Sequence, residues 1–307
     1  MYALNLRDTR CRDPFLVGNK AAHLAQLLDV EELTIPPGVV MTTRAYNVHV
    51  ADIQEDINRL LDTINFDMFS HIEQTSEAIK SLIIQNHVEE LLEQEIRQAY
   101  TALCEPTQNE YVAVRSSSPD EDTRRCSCAG TYDTILGATA ATITEAVVRV
   151  MGSTYNTAAL CNRHNFRMPL QASLAVLIMP VIPTEFSGVA FTVHPVNSDQ
   201  ATMYIALAPG LAKGLVTGEI PVHEITVEKD TLHIKEQLHA LPTREAYLFE
   251  HGEVVKRKVR NFRPDTQYIP RIAQACIAVE AYFGIPQNIE FGVYENDVFI
   301  LQSRPLV

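Results

Sequence analysis

The feature that most limits what this chain can fold into is a change of hydrophobic period near Tyr111. Between Asp52 and Leu103 apolar residues recur three and four apart: Ile53, Ile57, Leu60, Leu61 and Ile64, then Ile79, Leu82 and Ile83, then Val88, Leu91, Leu92 and Ile96. One face of a helix repeats at that interval, so two or three helices are expected there. From Tyr111 the texture becomes YVAVRSSS, an alternating strand that runs into a polar loop. A helical stretch is expected from Ile143 to Asn165, and SLAVLIMPVI, SGVAFTVHP, TMYIALAP, HEITVEKDTLHI and VFILQSRP read as strands. A last helix runs from Ile269 to Phe283 and ends at Gly284. Before the helical block lie a short helix from Lys20 to Leu28, a turn at Ile35-Pro36-Pro37-Gly38 and a strand VVMTT. Such an order describes an α+β chain. Its expected division is residues 1–170, with a helical insertion at about 52–103 and the polar loop, and residues 171–307, with the boundary near Met168 to Ala172.

Composition removes several classes of function. Twenty-five Lys and Arg stand against 38 Asp and Glu, a formal charge of −13, which argues against a nucleic-acid partner, because that affinity rests on cations neutralising phosphates. The longest apolar run, LAVLIMPVIP at 174–183, is about half of what a bilayer crossing needs and carries two prolines, so no membrane association is expected. Six cysteines (Cys11, Cys104, Cys126, Cys128, Cys161 and Cys276) follow no regular framework, and the N-terminus lacks an apolar stretch after a basic start. A cytoplasmic location is the expectation. Cys126 and Cys128 form a C-x-C without a second pair at zinc spacing and read as loop thiols.

Three segments carry chemistry. In VAVRSSSPDEDTRRCSCAGTYDT, residues 112–134, a strand ends at Arg115 and opens into a hydroxyl-rich loop with Gly130 and Thr131. Backbone N–H groups around such a glycine can approach phosphate oxygens, and a guanidinium offers a planar fork of donors; taken alone, the segment also fits an ordinary solvated turn. VGNKAAHLAQL puts Lys20 at a turn-to-helix junction, where an anion would meet an ammonium and free helical N–H groups; a surface lysine fits equally. At the C-terminus, IEFGVYENDVFILQSRPLV reads as a hairpin turning at Glu295-Asn296-Asp297. Gln302 and Arg304 lie two apart and share a face, and Glu290 sits on the partner strand. An acid, an amide oxygen and a guanidinium on one surface suit a magnesium ion bridging phosphates, while an edge ion pair between Glu290 and Arg304 fits as well.

In combination and order these segments resemble the N-terminal ATP-grasp domain of the phosphoenolpyruvate synthase and pyruvate phosphate dikinase family, which includes rifampicin phosphotransferase. VGNKAAHLAQL is similar to GGKGANLGEL, IPPGVVMTTRAY to VPPGFVVTAEAY, and VAVRSSSPDED with SCAGTYDT to VAVRSSATAED with SFAGQQDT. SGVAFTVHP is similar to SGVMFTIDP, and IEFGVYENDVFILQSRP to IEWAVDGKLYILQARP. The resemblance spans nearly the whole chain. It implies two lobes enclosing a cleft for ATP and magnesium. Lys20 and Arg115 match the residues that grip the phosphates, Gly130 and Thr131 lie in the loop that covers them, Glu290 and Gln302 match the metal ligands, and Arg304 matches the arginine directed at the terminal phosphates. These cations neutralise charge that moves during transfer, so losing one is expected to harm rate more than folding. The strand LAVLIMPVI matches the segment whose end meets the adenine by backbone hydrogen bonds, which places Met179, Pro180 and Val181 at the base, with core packing the competing reading.

Departures from the family pattern shape the functional expectation. Met179 replaces a usual Gln, Gly210-Leu211-Ala212-Lys213 replaces Gly-Leu-Gly-Glu, and His194 and His223 stand where the family has acids. Full members add a swivelling domain with a phosphorylated His and an acceptor domain, and no segment of this sequence matches that carrier. The resulting expectation is an ATP- and Mg-dependent phosphotransferase passing a phosphoryl or pyrophosphoryl group to a small-molecule acceptor, with His194, Lys213 and His223 as acceptor-site candidates. Two alternatives remain: the ATP-binding subunit of a split dikinase that phosphorylates a His carrier on a separate protein, and a non-catalytic nucleotide-binding subunit.

Overall fold

The computed structural model describes residues 1–107, 109–121, 130–238, 245–259 and 262–306. The chain divides into two compact units: residues 1–25 with 37–181, and residues 26–36 with 182–307. The division therefore falls at Val181, not near 170. The reason lies in pairing: the strand Ala175–Pro180 is the middle strand of the first unit's sheet, hydrogen-bonded on both edges.

In the first unit, β1 (Ala3–Asn5), β2 (Val39–Met41), β3 (Val112–Ser117), β4 (Thr134–Ala138) and β5 (Ala175–Pro180) form an antiparallel sheet in the order β1-β2-β5-β3-β4. Alternation gives its two faces different work. Val39, Met41, Val112, Val114, Val176 and Ile178 share a core with apolar residues of the helices α2 (Thr43–His49), α3 (Gln54–Asp62), α4 (Phe69–Gln85), α5 (Glu90–Thr107), α6 (Ile143–Gly152) and α7 (Thr157–Asn165). The helical periods upstream of Tyr111 thus resolve into α3, α4 and α5, with Ile57, Ile79, Ile83, Leu92 and Ile96 fully buried. The stretch 143–165 is two α-helices, interrupted by a 3₁₀ turn at Ser153–Tyr155. The other face of the sheet carries Ala113, Arg115, Ser117, Leu177 and Met179, because Arg115 pairs with Leu177 and Ala113 with Met179.

The helix α1 (Pro14–Leu27) is two helices joined across a kink at Gly18, whose φ of 74° and ψ of 162° few other residues adopt. A Cβ at Gly18 would stand 2.0 Å from the Ser117 carbonyl oxygen. Glycine is therefore what lets this junction lie directly on the end of β3.

The second unit holds an antiparallel six-stranded sheet made of β6 (Phe186–Phe191), β7 (Thr202–Pro209), β8 (His223–Glu228), β9 (Ile234–Leu238), β12 (Gln287–Tyr294) and β13 (Asp297–Pro305), in the order β13-β12-β6-β7-β8-β9. The hairpin β10 (Glu245–Glu250) and β11 (Glu253–Lys258) forms a separate pair. HEITVEKDTLHI is accordingly β8 with the turn that leads into β9, not one strand. The helix α9 (Ile269–Phe283) buries Ile272, Ala273, Cys276 and Val279 and ends at Gly284 in the left-handed conformation. The opposing strand residues Ile289, Phe291, Ile205, Leu207 and Ile225 are fully buried and share one face of the sheet. Among the described residues no helix is long and apolar enough to cross a membrane.

Candidate functional site

Lys20 is not a surface lysine. It lies in the first turn after the Gly18 kink, 6% exposed, and its Nζ donates to the Ser116 carbonyl at 2.8 Å and to Glu121 Oε1 at 3.3 Å. The side chain of Glu121 is 7% exposed. Around this pair the junction is tied to the end of β3. The Asn19 N–H donates to the Ser118 carbonyl at 3.1 Å and the Ala21 N–H to Ser117 Oγ at 3.0 Å, while Ser117 Oγ donates to the Val17 carbonyl at 2.7 Å. Asn19 Nδ2 also donates to the carbonyls of Pro119 and Glu121. The expectation of free helical N–H groups beside Lys20 is thus corrected: two of them are already spent on serine oxygens. An anion approaching this corner meets the ammonium and not a bare helix end.

Arg115 stands one residue before Ser116, on the sheet face opposite the helical layer, with Thr134 as its β4 neighbour and Leu177 as its β5 neighbour. Gly130 is exposed with φ of 71°, and nothing lies within 4 Å of where its Cβ would be. Thr131 behaves differently. It is buried, its hydroxyl accepts from Asn162 Nδ2 at 3.2 Å and its carbonyl accepts from Asn156 Nδ2 at 3.1 Å, so its side chain is an anchor turned inward rather than a ligand contact. Cys126 and Cys128 fall outside the described residues. Cys11 and Cys276 are buried, and burial pushes both thiols up to about 12.

Met179, Pro180 and Val181 are all buried. Met179 lies on the Arg115 face, opposite Ala113. The Val181 N–H donates to the Tyr111 carbonyl at 3.0 Å, and the Val181 carbonyl accepts from Asn109 Nδ2 at 2.9 Å. No Val181 N–H is left over for a base, which corrects the expectation at that residue.

In the second unit, register assembles the polar set. Glu290 pairs directly with Gln302 and Asn288 with Arg304, so all four project from one face of β12 and β13. A bulge makes this possible: Phe291 pairs with Ile300 and Glu290 with Gln302, which leaves Leu301 as the extra residue on β13. Without it Gln302 would fall opposite Ile289, on the packed side. The same face continues through Val189 and Phe191, Ala206 and Tyr204, to Glu224 and Thr226. Tyr204 carries a hydroxyl pushed up by burial and by its hydrogen bond to Glu224. Among the described residues no three His, Cys, Asp or Glu side chains converge to hold a metal by themselves. Glu290 and Gln302 supply two hard oxygen donors that face each other across one strand pair.

The three acceptor-site candidates have separate surroundings. His194 is half-buried in the turn after β6, where Nδ1 accepts from the Val196 N–H at 3.3 Å and the ring packs edge-on against Tyr204, 5.8 Å between centroids. Lys213 starts the short helix α8 (Lys213–Val216) with its ammonium 5.3 Å from the Tyr247 ring centroid, and Lys256 lies 5.8 Å from the same ring. His223 is 2% exposed on the packed side of β8, 5.7 Å from the Phe262 ring. That burial sets His223 apart from the half-buried His194 and the exposed Lys213. Glu121 is the residue that sequence reasoning missed; its one signal was its place in PDED, beside the quoted VAVRSSS run.

Unit by unit, these are the parts of an α+β protein equipped for anions, with cations at one strand end and paired oxygen donors on a sheet face. Residues 15–307 match the family described as pyruvate phosphate dikinase, AMP/ATP-binding domain, and the chain belongs to that family. It is 30% identical over 316 residues to a probable phosphoenolpyruvate synthase of Archaeoglobus fulgidus, covering 100% of this chain and 42% of that protein. It is 29% identical over 310 residues to a probable phosphoenolpyruvate synthase of Methanothermobacter thermautotrophicus (96% and 44%) and 27% identical over 320 residues to the rifampicin phosphotransferase of Bacillus cereus (99% and 36%). The chain thus spans less than half the length of these relatives. Against solved structures it aligns with D-alanyl-alanine synthetase A of Vibrio cholerae at a TM-score of 0.32 and 11% identity, covering 76% of this chain and 54% of that one, a likeness that fixes no shared fold.

Proposed function

We propose that the chain is an ATP-grasp protein that binds ATP with magnesium and transfers a phosphoryl group from it to a small-molecule acceptor. The observation that carries this reading is the Lys20 ammonium, fixed by the Ser116 carbonyl and Glu121 at the foot of the serine turn, in a member of an AMP/ATP-binding family. An ammonium has three donors. With one on a carbonyl and one on a carboxylate, Lys20 keeps a fixed direction for a phosphate oxygen, and Arg115 adds a second cation on the adjoining sheet face.

The second unit carries a polar set of its own. Magnesium binds through one or two carboxylates together with phosphate oxygens and water, and the facing pair Glu290 and Gln302 suits that demand. The ion would neutralise charge on the transferring group. Arg304, on the same face, would stabilise the charge that moves onto the bridging oxygen as its bond to phosphorus breaks. The acceptor oxygen or nitrogen forms the new bond to phosphorus and loses its proton to solvent, and ADP leaves with the electron pair. Of the acceptor candidates, His194 and Lys213 are the more exposed; His194 packs on Tyr204, which shares its face with Glu290.

A second reading, the ATP-binding subunit of a split dikinase acting on a histidine carrier, draws support from the family description. Labelled ATP separates the two. The purified chain, with magnesium and candidate acceptors, is expected to yield ADP and a labelled small molecule. AMP with phosphate would transfer the assignment to the dikinase reading. Binding without consumption would leave a nucleotide-binding subunit, and no binding at millimolar ATP would end all three.

A further inference from the structure

Three residues follow the Gly130 turn, and three side chains hold them from α7 and the turn before it. Asn156 Nδ2 donates to the Thr131 carbonyl and to Asp133 Oδ1 at 3.1 and 2.9 Å, and Asn162 Nδ2 donates to Thr131 Oγ1 at 3.2 Å. Arg163 Nη2 donates to the Tyr132 hydroxyl at 3.1 Å, with its guanidinium carbon 5.9 Å from the ring centroid. Ser118 acts on the Tyr132 hydroxyl against the rise that burial gives its pKa, and the Ser118 carbonyl accepts the Asn19 N–H beside Lys20. The Asp133 carbonyl accepts the Ser116 N–H at 3.3 Å. Asp133, next to the phenol that Arg163 holds, therefore joins the end of the Gly130 turn to the serine segment that seats Lys20.

Arg163 is an expensive way to hold a phenol. It is 2% exposed; Nη1 donates to the Thr154 carbonyl at 2.7 Å, and Nε has no hydrogen-bond partner among the described residues. No carboxylate pairs with it among the described residues. A buried cation compensated by a carbonyl and a phenol costs stability, but a planar fork holds its donors in one fixed plane, a geometry that the rotatable ammonium of a lysine does not keep. At the position of Tyr132 the family string SFAGQQDT has a Gln, so the phenol is this chain's own answer at that place.

We propose that Arg163, acting through the Tyr132 hydroxyl, is the positioning residue that locks the Gly130 turn to the Ser116–Ser118 segment, and that affinity for polyphosphate depends on this lock while affinity for the nucleoside does not. The lock's geometry stands by itself; only its ligand rests on the ATP reading above.

The test uses the full chain and two variants, Tyr132→Phe, which removes one oxygen and keeps the ring, and Arg163→Lys, which keeps the charge and loses the fork. Binding of Mg-ATP, inorganic triphosphate and adenosine is measured by calorimetry, and amide exchange across 116–118 and 130–134 is followed without ligand. Both variants are expected to weaken ATP and triphosphate about tenfold, to leave adenosine unchanged and to speed exchange in both segments, and the double variant to lose no more than either single. Unchanged triphosphate affinity in Tyr132→Phe, or a parallel loss of adenosine, overturns the proposal. If the unaltered chain binds neither ATP nor triphosphate, the ATP reading fails, and the exchange rates alone then decide the lock: unchanged exchange in Tyr132→Phe refutes it.

Discussion

Removing the Lys20 ammonium should unfold the first unit before it reports on catalysis. Glu121 lies 3.3 Å from Lys20 Nζ, and both side chains are at least 93% buried. Lys20→Met keeps most of the aliphatic volume and removes the ammonium from beside a buried carboxylate. Breaking a buried pair from one side costs roughly 3–5 kcal/mol. With a urea m-value of about 2 kcal/mol per M, a loss near 4 kcal/mol lowers the midpoint by about 2 M. Glu121→Gln should cost less, because the ammonium keeps the Ser116 carbonyl. The double variant Lys20→Met/Glu121→Gln should recover at least about 1.5 kcal/mol relative to the sum of the singles, without recovering ATP affinity. The chain has no Trp, so far-UV circular dichroism follows the unfolding. A Lys20→Met midpoint within 0.3 M of the parent (about 0.6 kcal/mol), or strictly additive effects in the cycle, would refute the reasoning and restore the simpler view in which losing this cation costs rate alone.

Other perturbations follow from the same geometry. Gly18→Ala should destabilise by more than the roughly 1–3 kcal/mol of its backbone conformation, since its Cβ would overlap the Ser117 carbonyl at 2.0 Å, and thermal melting with ATP titration checks it. His49 is 2% exposed, Nε2 donates to the Ile83 carbonyl at 2.9 Å, and burial holds its pKa below the usual value against a raising influence from Asp52. Its folded pKa is depressed, so its contribution is present above about pH 6.5 and lost as pH falls below it; the urea midpoint should drop between pH 7 and pH 5 less in His49→Gln than in the parent. Glu290→Gln should weaken magnesium-dependent ATP binding at least about tenfold, the loss of a charged ligand, with little change in melting temperature. Deleting Leu301 should abolish that same binding.

Elements whose sequence pattern matches their packing were readable, and those set by tertiary pairing were not. The helices within 52–103 declared themselves through Ile57, Ile79, Ile83, Leu92 and Ile96, which are the residues the first core buries. Gly284 marked the end of α9 because only its left-handed conformation closes that helix on the Glu280 carbonyl. β10 and β11 carry glutamates on half-exposed positions and Glu253, Lys256, Arg257 and Lys258 on exposed ones, so no alternation rises above the surface pattern. The boundary of the first unit was misplaced for a related reason. A continuous apolar run such as Ala175–Pro180 shows that a strand is buried on both faces but not which sheet buries it.

At the site, residue types were readable and their partners were not. Lys20, Arg115, Glu290, Gln302 and Arg304 were all named from motif and spacing, yet spacing could not tell a solvated lysine from one closed in by Glu121, a hundred and one residues away. The hairpin states the limit most sharply. Counting back from its two-residue turn, Glu295 and Asn296 with positive φ, regular alternation sets Leu301 opposite Glu290 and sends Gln302 to the packed side with Ile289. The observed pairing does the reverse because one residue is skipped between Ile300 and Gln302. Val298 and Ile300 face inward with Val293 and Phe291, and the skipped residue turns Gln302 and Arg304 to the opposite face, where Gln302 is buried beside Glu290. The bulge thus keeps Val298 and Ile300 on the packed side while it sets Gln302 and Arg304 on the face of Glu290, a change of register that alternation alone does not announce.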